Sequence, residues 1–470
     1  MIQNLRAGAV RIRAIVKRGG LGHASLVNAT GMGVGRAIGL LSALAGALML
    51  GTEQYGAFAY LATTATVISS LSVLGFAPLV TRGVAASRSK SQAATVTGTA
   101  IVIVCGLLIT WTLAQGAVVT LADLGSTWPE FRIVEGVGSL VVAIWAAATT
   151  IFAITSATIA GNQQFRLLTM LTVVRAVAVG GAACAVAAVN AVGAASALAA
   201  ACADLIVALF SLILLRRAGD IRKPARAEIV GEALKLSKGA IPAGAASLLI
   251  QAALWLTQSM LLLRPDGLSE NGAFAIATRL CLIVTFLPSA LATASVSYIA
   301  RQDDGALARR LGWRIVGFGT AASLVGMLLA GGVGSYAMVT LSTDYADYTT
   351  TTTLMAVAGV AISANVLLGN VAVALGRIRA WVVSDVVLAA SLMGIAFLLV
   401  PGFGANGAAV ASIVSYAVSA CVLLFSLRRR SEPPPSMQPT NAAGPVSAGS
   451  PTKATTKISM GTEEIGITTR

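Results

Sequence analysis

The chain has 470 residues, of which 56% are hydrophobic and only 11% charged, and its mean hydropathy is +0.84. Soluble domains carry about 25% charged residues, so most of this chain has lipid as its solvent, and its formal charge of +15 describes membrane topology rather than nucleic-acid binding. A single histidine, His23, excludes a histidine-based metal centre, and five cysteines spread through apolar runs without a CxxC pair exclude a disulfide frame.

Twelve apolar runs approach or exceed the length that crosses a bilayer, about 20 residues. In chain order they are 26–50, 55–80, 94–117, 136–160, 167–189, 194–215, 240–263, 273–299, 315–340, 354–375, 381–401 and 408–427. A basic interfacial segment, 1–25, precedes them. The runs within 26–215 form an N-terminal lobe and those within 240–427 a C-terminal lobe. Between them, the linker 216–239 holds AEIVGEALKLSKG, whose spacing predicts a short amphipathic helix at the membrane surface. The last segment, 428–470, is rich in Pro, Ser, Thr and Ala and reads as a disordered tail. With the N-terminus placed inside, 28 of the 33 Lys and Arg residues fall in inside segments. Arg132 and Arg264 alone fall outside, and Arg36, Arg175 and Arg279 lie within spans. That bias predicts both termini in the cytoplasm. The outside loops are short and acidic, leaving no room for a folded catalytic site.

The halves read as copies. Gly56-Ala57-Phe58-Ala59 recurs as Gly272-Ala273-Phe274-Ala275 at an offset of 216. Gly161–Arg166 aligns with Gly376–Ala380 at about 215, Gly193-Ala194-Ala195 with Gly407-Ala408-Ala409 at 214, and Phe210-Ser211-Leu212 with Phe425-Ser426-Leu427 at 215. Six crossings per copy give both copies one orientation, hence a pseudo-twofold along the membrane normal. The expected fold is an all-α polytopic membrane protein, about 12 transmembrane helices in two pseudo-symmetric six-helix lobes around a central cavity.

Charges at membrane depth mark functional candidates. By helix rise, Arg36 lies about 15 Å and Arg175 about 12 Å from the inside, and Arg279 roughly 10 Å from the outside. Arginine binds phosphate oxygens bidentately, so these three could line a path for an anionic headgroup. Arg175 has an equal claim to an internal salt bridge with Asp204 on the next helix. Asp204 and Asp385 are the acids within the spans and candidates for a coupling proton or cation, although Asp385 also lies within reach of Arg377 and Arg379. Gln251 and Asn365, like Asn28, Gln258 and Asn370, are amides in apolar runs, suited to a glycan's hydroxyls or to hydrogen bonding between helices. Pro288 is the expected hinge. No nucleophile–base arrangement, metal cluster or nucleotide loop is present, and no cofactor is implied.

Several stretches carry a family resemblance. They are Gly35-Arg36 followed by Leu50-Gly51-Thr52-Glu53-Gln54-Tyr55-Gly56 and Phe58-Ala59-Tyr60, then LSVLGFAPLVTRG at Leu71–Gly83, KLSKGAIPAG at Lys235–Gly244 and GANGAAVAS at Gly404–Ser412. Across about 25–430 the chain resembles the polysaccharide transport flippases of the multidrug/oligosaccharidyl-lipid/polysaccharide exporter superfamily. The resemblance implies a V-shaped cavity with a cationic lining, which Arg36 and Arg279 fit by type and depth. It implies flipping of an undecaprenyl-pyrophosphate-linked oligosaccharide across the bacterial plasma membrane, with a polysaccharide polymerase or co-polymerase as a partner and no nucleic acid. The chain departs from the family where Ser259 follows Thr257-Gln258, a position where relatives often hold an Asp. The competing readings are a cation-coupled drug exporter, a membrane polymerase or glycosyltransferase, and a non-transporting scaffold. The first calls for acids in the cavity and the second for large outside loops.

Overall fold

In lipid the backbone must satisfy its own hydrogen bonds, and only helices do so within one apolar segment. The computed structural model follows this rule. It describes residues 21–87, 89–124, 137–222, 244–245, 248–300, 305–341, 343–375 and 377–428, with no strand among them. The basic segment before residue 21, Arg132, the amphipathic stretch of the linker and the tail from residue 429 lie outside the described residues.

The first lobe is built by α1 (Leu21–Val73), α2 (Phe76–Ala86), α3 (Lys90–Leu124), α4 (Val137–Gly161), α5 (Phe165–Asn190) and α6 (Gly193–Arg217). The second is built by α7 (Leu248–Leu262), α8 (Gly267–Ala300), α9 (Gly305–Leu341), α10 (Thr349–Ala374) and α11 (Ile378–Arg428), with a 3-10 turn at Thr343–Tyr348 before α10. Nine helices among the described residues are long and apolar enough to cross a membrane. Two of these, α1 and α11, are bent pairs of 53 and 51 residues, and α7 is a shorter apolar helix, so each of the twelve expected crossings has its helix.

The breaks differ from a loop-by-loop expectation. Between the runs 26–50 and 55–80, within the polar Gly51–Gln54, α1 changes direction at one residue, Gly51 (φ 72°, ψ 176°). In the same way α11 turns at Gly404 (φ 56°, ψ −134°). Both lie in backbone regions that side chains with a Cβ avoid. The run 55–80 is in turn split by two left-handed residues, Leu74 (φ 39°) and Gly75 (φ 73°), after which α2 starts. Pro78 sits in the first turn of α2, where its missing N–H leaves no helical bond unmade. Pro288 lies inside α8.

Each lobe has its own core of small and branched residues. In the first, Tyr60, Leu61, Val141, Val142, Ala146 and Ala197 pack together. In the second, Ala253, Phe274, Ala277, Leu392, Ala396 and Ala408 do the same. The Ala and Gly content lets backbones approach closely, which is how helices associate where lipid competes for apolar surface. A third cluster joins the lobes, with Ala47, Leu50, Tyr55 and Ala59 meeting Ala275, Ile276, Leu280 and Tyr345.

The repeat is visible as paired contacts. A Cβ placed on Gly56 would stand 1.9 Å from the Leu268 carbonyl oxygen, and one on Gly272 would stand 2.0 Å from the Thr52 carbonyl oxygen. The offset of 216 maps each member of one contact onto a member of the other, so the pseudo-twofold passes between these two glycines. The next equivalent pair is Gln54 and Glu270. Gln54 Oε1 accepts the Gly193 N–H at 3.0 Å, and the Glu270 carboxylate accepts the Ala405 N–H. Both side chains thus hold the start of their lobe's last crossing.

Candidate functional site

The site residues sit on α1, α7 and α8, the helices that meet across the lobe boundary. Trp255 Nε1 donates to Thr64 Oγ1 at 3.0 Å, and the Tyr60 and Ser259 hydroxyls lie 3.2 Å apart. Ser259, which stands where relatives often carry an acid, is therefore a boundary contact. Closer to the crossing, Asn271 Nδ2 donates to the Gly56 carbonyl at 2.9 Å and Thr52 Oγ1 to Ser269 Oγ at 3.3 Å. Toward the other end, a Cβ on Gly33 would stand 2.9 Å from the Phe286 ring, and one on Gly244 would stand 2.5 Å from the Leu74 backbone. Glycines thus permit the close approach of the lobes at both ends.

Arg36 lies between these ends. Val34, Leu41 and Leu48 are exposed and form the lipid-facing stripe of the first leg of α1. At 100° per residue, Arg36 lies about 160° around the helix from Val34. It falls between Gly35, which packs on Thr172 of α5, and Gly33, which packs on Phe286 of α8. Arg36 is nevertheless exposed, and Gly39, nearly one turn on, has open space where its Cβ would be. Arg36 therefore faces an opening on the protein side of its helix.

Arg279 comes from the opposite lobe. Arg279, Ile283 and Phe286 are all exposed and share one stripe of α8, the stripe that meets Gly33. The chain neighbour of Arg279, Leu280, packs in one cluster with Tyr55, a buried residue of the first lobe. Measured from the Gly33–Phe286 contact, Arg36 is one turn and Arg279 two turns toward the crossing, so their levels differ by about 6 Å. The two arginines thus come from opposite lobes to one stretch of the boundary.

The other candidates are placed elsewhere. Arg175 is bound inside the first lobe, where its Nε and Nη2 donate to the two Asp204 carboxylate oxygens at 2.6 and 2.7 Å. Thr149 Oγ1 accepts from Arg175 and donates to Asp204, each at 3.3 Å, and the guanidinium lies 4.4 Å over the Phe152 ring. Arg175 and Asp204 thus neutralise each other, and Asp204 is fully buried. Asn365 is bound within the second lobe, where its Nδ2 donates to Ser419 Oγ at 2.6 Å and Ser419 bonds Ser384 at 2.6 Å. Gln251 is half-buried on α7, one turn before Trp255 and so on the boundary side. Asp385, beside Ser384, is only 5% exposed, and no hydrogen bond or ion pair reaches it among the described residues. Arg377 instead donates to the Ser426 carbonyl. Tyr55 and Asn271 were not evident as boundary residues, although both immediately precede the glycine of the repeated GAFA string.

A family model described as "Polysaccharide biosynthesis protein" matches residues 21–296, more than half of the chain. The chain belongs to this family. No curated protein matches it in sequence. Among solved structures, the family member is similar to the lipid II flippase MurJ in an inward closed conformation, with 11% identity, a TM-score of 0.65, and 86% of this chain and 87% of that one covered. It is also similar to an inward-facing multidrug resistance MATE transporter of the MOP superfamily, with 15% identity, a TM-score of 0.59, and coverage of 89% and 97%. A MOP superfamily transporter from Pyrococcus furiosus, described by the reverse polarity of its binding pocket, matches with 14% identity, a TM-score of 0.59, and coverage of 86% and 94%. At such identities these likenesses establish the fold alone, a multi-pass helical fold shared with those three proteins.

Proposed function

We propose that the protein flips an undecaprenyl-pyrophosphate-linked oligosaccharide from the cytoplasmic to the outer leaflet of the bacterial plasma membrane, by alternating opening of the two lobes. The observation that carries this reading is the pair of exposed arginines, Arg36 and Arg279, contributed by opposite lobes to one stretch of their boundary. Held in lipid, an unpaired arginine costs at least roughly 3 kcal/mol, and a pyrophosphate passing between the lobes offsets that cost at both positions. Both termini face the cytoplasm, as the Lys and Arg bias requires, so the Gly51 turn faces outward. Gln251 stands ready for a glycan hydroxyl. Asp204 is committed to Arg175, which leaves Asp385 as the carboxylate for a coupling proton or cation.

The MATE likeness keeps a cation-coupled drug exporter as the second reading. A boundary lined by arginines repels a cationic drug, which favours the anionic lipid. The test is flipping of a fluorescent lipid-pyrophosphate-glycan in proteoliposomes. Arg36→Ala and Arg279→Ala are each expected to slow flipping at least tenfold while the protein stays folded. Unchanged flipping in both variants, or transport of cationic dyes in place of the lipid, refutes the proposal.

A further inference from the structure

The lobes meet along two seams that the repeat relates. On one, the first leg of α1 lies against α8. On the other, α7 lies against the second leg of α1, the part after Gly51. This second seam is polar. Trp255 of α7 donates from Nε1 to Thr64 Oγ1 at 3.0 Å, and Thr64 Oγ1 donates in turn to the Tyr60 carbonyl at 2.9 Å. The Tyr60 and Ser259 hydroxyls lie 3.2 Å apart on the same face. Trp255 and Leu262 also pack into the first lobe's own cluster, with Tyr60, Leu61 and Ala65. The first seam is apolar. At the offset of 216, Tyr60 becomes Ile276 and Thr64 becomes Leu280. These two share a cluster with Leu40, Leu44 and Ala47 of the first leg.

Lipid decides which seam can part. Leucine and isoleucine lose little when a lipid chain replaces their neighbour, because lipid is as apolar as they are. The Trp255 N–H has no such substitute, since hydrocarbon leaves it without an acceptor. The place of the bond matters as well. Thr64 lies eight residues from Gly56, which meets Leu268, and ten from Leu74, which meets Gly244. These separations are about 12 and 15 Å along the second leg. The bond therefore stands near the midpoint between the contacts that close the two ends.

From the polar seam and its position we infer that Trp255–Thr64 is the pivot on which the lobes rock, a hydrogen bond kept while each end opens in turn. Trp255 is then the positioning residue through which opening at one end closes the other. Without a fixed point at mid-length, the lobes can part at both ends together. The inference rests on the alternating opening proposed above.

Reporter cysteines test it, one at Thr52 for the outer end and one at Ser70 for the inner end. Each stands alone in a full-length chain stripped of its native cysteines and is labelled with a membrane-impermeant maleimide in proteoliposomes. Trp255→Phe removes the donor and keeps an aromatic ring. Thr64→Val removes the acceptor and keeps the shape, whereas Thr64→Ser keeps the acceptor. A bond held in both states does not bias one against the other. Trp255→Phe and Thr64→Val are therefore each expected to raise labelling at both ends, about two- to fivefold, with the ratio between the ends kept within about twofold. The double variant should do no more than either single one, as two partners of one bond require, and Thr64→Ser should label like the parent. Labelling that rises at one end and falls at the other makes the bond a latch of one state and overturns the pivot. Parental labelling at both ends in Trp255→Phe and Thr64→Val overturns it too, as do additive effects in the double variant. Flipping of the lipid-pyrophosphate-glycan in the same proteoliposomes separates this inference from the flippase reading. A parent that does not flip the probe, while its variants show the expected labelling, loses that substrate and retains its pivot.

Discussion

Arg175 and Asp204 show how the same residue types serve opposite ends. Arg175 is nearly as deep in its run as Arg36, but its Nε and Nη2 are taken by Asp204 and Thr149 and its face by the Phe152 ring. Removing Asp204 leaves a half-buried guanidinium without its counter-ion; a fully buried one costs about 3–5 kcal/mol, and this one, 26% exposed, costs less. Asp204→Asn is therefore expected to lower the unfolding temperature and the yield sharply, whereas Arg175→Met with Asp204→Leu should recover most of the loss; thermal unfolding in detergent checks both. Tyr345 carries the reverse sign. Its side chain is 1% exposed and its hydroxyl has no hydrogen-bond partner among the described residues. A buried polar group left unpaired costs about 1–3 kcal/mol, so Tyr345→Phe should keep or raise the unfolding temperature. A clear drop would mean that the hydroxyl is bonded in the membrane.

At the scale of elements, the crossings were legible because a bilayer demands a long apolar run and permits little else. The turn after the first run was legible in place, from the polar Gly51–Gln54, but its form, a reversal at one glycine, was not. Gly51 and Gly404 differ in what a side chain would meet. A Cβ on Gly51 would stand 3.3 Å from an Asp344 oxygen, whereas one on Gly404 would stand 2.3 Å from the Glu270 carboxylate. Gly51→Ala should thus cost about 1–3 kcal/mol, since its φ and ψ lie in a region essentially confined to glycine, and Gly404→Ala noticeably more, as read from thermal unfolding of the two variants side by side. The candidate site was legible in part. Arg36 and Arg279 stood out as charges in apolar runs. The partner of Asn365 did not, because Ser419 is 54 residues away and serines are frequent in such runs.

For the molecule as a whole, closure at either end depends on the absence of a Cβ. Gly56 meets the Leu268 carbonyl near the Gly51 turn, and Gly244 meets the Leu74 backbone toward the opposite end. Valine at either position should hold the lobes apart on its own side alone. Gly56→Val is expected to raise labelling of a cysteine at Thr52 from the outside, and Gly244→Val to raise labelling of a cysteine at Ser70 from the inside, with transport lost in both. Labelling from the same side in both variants would contradict the two-ended closure.

The placement of Arg36 also bears on biogenesis. Its helix meets the second lobe through Phe286, against Gly33, and through the Ala275–Leu280 cluster, against Ala47, Leu50 and Tyr55; both belong to α8, which is translated only after the first lobe is complete. Until then the nascent first lobe holds an arginine that no second lobe shields from lipid, at the roughly 3 kcal/mol or more that such a charge costs. A truncated chain ending at residue 222 should accordingly be a substrate for membrane quality-control proteolysis. Replacing Arg36 with leucine should lengthen its half-life, and co-expression of residues 223–470 should do the same without any substitution.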